Sequence, residues 1–163
     1  MSILVKATPA PRARTDATKQ IAILYAGILV VLAVTQLFTF DKFIELIPTF
    51  ELPLSIAATY ALAPTLIAAE VFAIPFLLRM TLSPAFRALS MALGWLVALL
   101  WTLISLWVVL IQPTAETVGF LGTLVDLVPG WWAVLVSISF GILAAWASWG
   151  LWPGKRQTTK AKK

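Results

Sequence analysis

Glu70 is the one acid or base set deep within an apolar stretch of this 163-residue chain. A carboxyl in such a position relays a proton, contacts a substrate or cofactor, fixes helix packing as a hydrogen-bonded acid, or snorkels at a lipid edge. Desolvation disfavours its charged form, and Arg79 lies nine residues along the same stretch, about 13 Å away by helical rise. The expectation is therefore a mostly protonated Glu70 facing the interior when no cation is near. General acid–base chemistry needs a second group in reach. The sequence has no histidine and no cysteine, which excludes imidazole catalysis, thiol exchange and thiolate metal sites by this chain. No catalytic residue and no metal ligand is assigned, and the sequence leaves enzymatic activity undecided, with a non-enzymatic role preferred.

Counting depth at about 1.5 Å per residue puts Glu70 about 5 Å to the cytoplasmic side of the midplane. Tyr25, Trp95 and Trp146 fall in about the same layer. Tyr25 is the first choice of partner, because a phenol both donates to a carboxylate and accepts from a carboxylic acid. Trp95 and Trp146 are read first as bulk. Gln36 and Thr35 come near the end of the first apolar stretch, close to Asp41 and Lys42; they either line an outer vestibule or bond across helices, and the second reading is preferred. Pro64 and Pro75 bracket Glu70 and could kink the helix, widening a cavity beside the acid.

The elements that position these residues follow from composition. The hydrophobic share is 61% and the charged share 12%, against roughly 45–50% and 25% in globular domains. Four stretches, 20–39, 55–78, 86–111 and 131–152, have the roughly 20 apolar residues that cross about 30 Å of hydrocarbon. The fold class expected is all-α, an integral membrane four-helix bundle over 20–152 with basic tails at 1–19 and 153–163. The first stretch is too long for a signal-peptide core and is read as a retained span.

Of the twelve basic residues, eleven fall in the tails or flank the loop between the second and third spans. Lys42 is the exception. The positive-inside rule then places both termini in the cytoplasm. Trp131, Trp132 and Trp107 at one boundary and Trp149 and Trp152 at the other agree with that frame. The net charge of +5 reports topology and attraction to anionic lipid; nucleic acid is not expected as a partner, because no basic stripe runs along a folded face. Both tails, 1–17 and 155–163, are expected to be poorly ordered. Phe40, Phe43, Ile44 and Ile47 recur at helical spacing until Pro48 and Pro53, which predicts a short helix on the surface or bending over the bundle. The 112–130 loop, with Gly119, Phe120, Leu121, Gly122, Leu124 and Leu127, reads as an interfacial cap.

Phe40-Asp41-Lys42-Phe43 after the first span, Glu70 inside the second and Leu77-Leu78-Arg79 closing it resemble the bacterial MauE/DoxX-like four-span membrane proteins over about residues 20–111. The family often has glycine upstream of the lysine, where this chain reads Thr39-Phe40-Asp41. The resemblance implies an accessory or assembly subunit of the prokaryotic inner (plasma) membrane, linked to redox or maturation processes beside a membrane or periplasmic oxidoreductase. A quinone supplied by the membrane is the cofactor it would bring. With no cysteine of its own, the chain would leave thiol chemistry to the partner. Glu70, Tyr25, Gln36 and Lys42 form the candidate ligand or proton site. The alternative is a small transporter or channel component with Glu70 as its proton or cation site, for which homo-oligomerisation is expected.

Overall fold

Serine and threonine start three of the four long helices. The computed structural model describes residues 7–112 and 115–152. Helix α1 (Asp16–Phe38) is capped by Thr15, whose hydroxyl accepts from Thr18 N, and carries Asp16 in its first turn. Helix α3 (Ile56–Leu77) is capped by Ser55 and α4 (Pro84–Ile111) by Ser83, with proline at its first position. Each cap satisfies an amide the helix itself leaves free. Between α1 and α3 lies the ten-residue α2 (Phe40–Thr49), and α5 (Trp131–Leu151) completes the fold. All four long helices are long and apolar enough to cross a membrane.

α1 packs against α3 and α5, and α4 packs against the same two, so α1 and α4 face each other across the bundle axis. Neighbours run antiparallel. One end holds the start of α1, the α3–α4 turn and the end of α5; it is called the strap end below. The other, the cap end, holds α2 and the loop from 115 to 130. The core runs along the axis and contains Tyr25, Leu29, Leu66, Val97 and Trp101. Outward faces remain apolar, with Val31, Leu37, Leu99, Leu103 and Leu135 all exposed; helices apolar on every side belong in a core or in lipid.

Two close approaches shape the ends. Gly150 lets α5 lie directly against Thr18 of α1, where a β-carbon would overlap the threonine side chain. Gly122, at φ +61°, turns the cap loop tightly over Thr39 and the end of α1, a left-handed conformation glycine adopts without strain.

The N-terminal segment differs from the expectation of poor order. Residues 8–14 form a strap across one end of the bundle. Thr8 and Leu82 exchange backbone hydrogen bonds of 3.0 and 3.3 Å, and Arg14 N donates to Gly150 O. Arg87 Nη2 donates to Thr8 O at 2.9 Å and Pro9 O at 3.2 Å, while Arg79 Nη2 reaches Pro11 O at 3.1 Å. Arg14 lies over the Trp149 ring at 4.9 Å. The prolines supply carbonyls without amides of their own, which suits a chain that runs extended over two guanidinium groups. The expectations for 1–6 and for 155–163 lie outside the described residues.

Candidate functional site

The site is built by three helices and one loop. Glu70 on α3 is fully buried, and its Oε1 accepts from Gln36 Nε2 of α1 at 3.2 Å and from Trp101 Nε1 of α4 at 3.1 Å. Gln36, also fully buried, spends its second N–H on the Phe120 carbonyl at 3.0 Å. Phe120 closes the site from the cap loop, its ring 4.6 Å from Trp101 and about 6 Å from Trp132 and Phe140.

Side-chain direction explains why these residues meet. Cα–Cβ bonds lean toward a helix's own N-terminus. On α3, which starts at the cap end, Glu70 leans capward; on the antiparallel α1 and α4, Gln36 and Trp101 lean the other way. They converge on one point although Gln36 is two residues from the end of α1 and Glu70 is seven from the end of α3. The Glu70 carboxyl thus meets the side chain of Gln36, whose amide also holds the cap loop.

The expected hydrogen bond between Tyr25 and Glu70 is not the one formed. Tyr25 is buried, but its hydroxyl crosses the bundle axis and donates to Gly94 O at 2.8 Å. Gly94 makes room for it: a β-carbon there would lie 3.8 Å from the tyrosine ring and 3.7 Å from Ala73 Cβ. Lys42 is exposed on α2, away from the acid. Trp95 is 44% exposed and donates to Ser148 Oγ, and Trp146 is 47% exposed, which agrees with bulk rather than partnership. Of the four candidates, Glu70 and Gln36 are brought together; Trp101 and Phe120 are the members sequence reasoning missed. An indole two turns past Gly94 on the same buried face was the available signal for Trp101.

Beside Pro75 the structure shows a contact between helices. At Pro75 the hydroxyl of Ser90, from α4, enters the backbone ladder of α3: it accepts from Phe76 N at 3.1 Å and donates to Phe72 O at 2.6 Å. A side chain inserted between an amide and the carbonyl four residues back is a recognised origin of helix bending, and here it joins α3 to α4. Clefts open elsewhere on the molecule, one of about 520 Å³ beside Leu24, Ile28, Val31 and Leu121. One of about 350 Å³ at the cap end is lined by Phe50, Gln112, Glu116, Thr117 and Asp126; an apolar one of about 270 Å³ lies between Pro53, Leu62, Leu100 and Trp107.

Two buried oxygens of the cluster have no hydrogen-bond partner among the described residues: Glu70 Oε2 and Gln36 Oε1. Ser105 Oγ, one turn from Trp101, is in the same condition. Among the described residues no group of three or more acids could hold a metal ion. No family model, curated protein or solved structure matches this chain, so the functional reading rests on the geometry and on the sequence features above.

Proposed function

We propose that the chain is a multi-pass protein of a prokaryotic inner membrane, with the strap end in the cytoplasm, acting as a non-catalytic accessory or assembly subunit of a redox or maturation system. The observation that carries the reading is the closed state of Glu70: two neutral donors occupy Oε1 and Phe120 covers the site. No second titratable side chain is hydrogen-bonded to it among the described residues, as acid–base work or a relay would require. The apolar outward faces support membrane insertion, and the eleven-to-one distribution of basic residues supports the orientation. The redox context comes from the resemblance to MauE/DoxX-like proteins alone; thiol or quinone chemistry would belong to the partner and the membrane. Native mass spectrometry of the gently solubilised protein from its own membranes tests this. A reproducible oxidoreductase or thioredoxin-like partner is the expected result; recovery of the chain alone, or only as a homo-oligomer, contradicts it.

One observation favours the alternative, a transporter or channel component. Glu70 Oε2 and Gln36 Oε1 are buried acceptors without a partner among the described residues, which a positive group would satisfy. Under that reading, the purified protein in liposomes conducts a pH-driven flux that Glu70→Gln abolishes. Absence of flux in the parent removes it.

A further inference from the structure

We infer that Glu70 and Gln36 form a proton-holding acid–amide pair, and that the proton latches the cap loop onto the bundle through Phe120. The inference stands on the hydrogen-bond geometry and holds under either reading of function.

The orientation of the Gln36 amide is fixed by its surroundings. Nε2 has two acceptors, Glu70 Oε1 at 3.2 Å and Phe120 O at 3.0 Å, and a flipped amide would turn its oxygen toward a carbonyl. Gln36 Oε1 is therefore an acceptor, and Glu70 Oε2, on the carboxyl already joined to the same amide, is its unpartnered counterpart. Two buried acceptors that no donor reaches among the described residues are costly. One proton on Oε2 resolves both: the acid donates to Gln36 Oε1 while Gln36 Nε2 donates to Oε1 of the acid. Trp101 Nε1 completes that oxygen. A metal cation would need more oxygen ligands than these two and the Ser105 hydroxyl provide, so the proton is the guest that fits.

The amide is then shared between the acid and the cap loop. Its other N–H holds Phe120 O, and the loop is fastened nearby by Thr123 N to Thr39 Oγ1 at 3.2 Å, Val118 N to Leu127 O at 2.9 Å and Leu127 N to Thr117 Oγ1 at 3.1 Å. Removing the proton sets a carboxylate oxygen against the amide oxygen. The amide must turn away, and the bond to Phe120 breaks. The sign follows: the latched state binds one proton more than the open state, so latching is complete at low pH and weakens as pH rises. Other titratable groups leave this assignment intact. Tyr25 of α1 is bonded to Gly94 O; Asp41, Lys42 and Glu45 of α2, and Glu116 and Asp126 of the loop, are exposed; Tyr60 of α3 is half exposed and Arg87 of α4 is held by the strap; α5 has none.

Glutamine at 70 reproduces the protonated acid permanently, with its amide N–H in place of the acid O–H. Hydrogen exchange at the Val118, Thr123 and Leu127 amides of the full chain in an ester-free detergent, corrected for intrinsic rates, reads the latch across a pH series. In the parent, protection falls as pH rises, by up to about tenfold per pH unit for one linked proton; in Glu70→Gln it stays level, and in Gln36→Met it is low at every pH. The infrared carbonyl band of a protonated carboxylic acid, recorded on the parent and on Glu70→Gln, reads the proton itself. The six other acids of the chain are exposed, so a band at neutral pH that disappears in Glu70→Gln belongs to Glu70. Identical exchange profiles for parent and Glu70→Gln, or no protonated-acid band in the parent, overturn the latch; should Glu70→Gln not fold, the parent's infrared band and the Gln36→Met profile decide it.

Discussion

At Glu70 one carboxyl oxygen satisfies two buried donors, and the consequences of substitution follow from counting what is left unpaired. Glu70→Leu strands Gln36 Nε2 and Trp101 Nε1, and a buried donor without an acceptor costs about 1–3 kcal/mol. Glu70→Gln retains an acceptor in the same place. Thermal unfolding in detergent should therefore show Leu far below the parent and Gln close to it; equal stability of Leu and parent would mean the hydrogen bonds contribute nothing. Tyr25→Phe is the milder change. The Gly94 carbonyl keeps its place in the α4 ladder, so the loss is one interhelical bond, about 0.6 kcal/mol on average in membrane bundles. A destabilisation as large as that of Glu70→Leu would show that Tyr25 bears on the acid after all.

At the scale of elements, the two ends of the bundle depend on small residues and on arginine rather than on apolar area. Gly150→Ala drives a β-carbon into Thr18 and should destabilise by about 1–3 kcal/mol through overpacking. Gly141, on the same helix, has nothing within 4 Å of a built β-carbon; Gly141→Ala should be neutral or stabilising by about 0.5–1 kcal/mol, since it removes a helix-interior glycine. Paired unfolding curves check the opposite signs. Arg79 closes α3 in a left-handed conformation at φ +57°, with Arg79 N to Phe76 O and Met80 N to Pro75 O forming the two-bond cap that glycine usually provides. Its guanidinium and that of Arg87 hold the strap. Arg87→Ala should free residues 8 and 9, seen as faster hydrogen exchange at the Thr8 and Leu82 amides, with unchanged exchange there contradicting the strap.

The spans were legible because a run of apolar residues long enough to cross hydrocarbon has few other uses; their limits agree with the helices to within four residues. The largest shift is the start of α1 at Asp16, where a Thr15 cap and polar first turns conceal the helix from a hydropathy reading. The acid was legible from its isolation. Its partners were not, because counting Cα depth along straight helices ignores the opposite lean of side chains on antiparallel neighbours. That lean joins Gln36 to Glu70 and assigns Tyr25 to Gly94. Phe120 was placed in a cap, and its insertion against Trp101 depends on the turns at Gly119 and Gly122, which composition alone does not orient.

For the whole molecule, the account rests on a bundle whose outward faces are apolar and whose basic and acidic residues, among those described and with Asp16, Lys42 and the buried Glu70 excepted, separate to opposite ends. The strap end gathers Arg12, Arg14, Lys19, Arg79 and Arg87, and the cap end gathers Asp41, Glu45, Glu51, Glu116 and Asp126. The basic half of that polarity is what positive-inside insertion would impose on the proposed four-span protein. The absence of cysteine from the sequence makes its most direct test clean: single cysteines at Thr8, Glu45, Glu116 and Lys160, labelled in intact cells and in inverted membrane vesicles with an impermeant reagent. Positions 45 and 116 should react only in cells, and positions 8 and 160 only in the inverted vesicles. Labelling of position 160 in cells, or of positions 8 and 45 from the same side, would contradict the four-span arrangement.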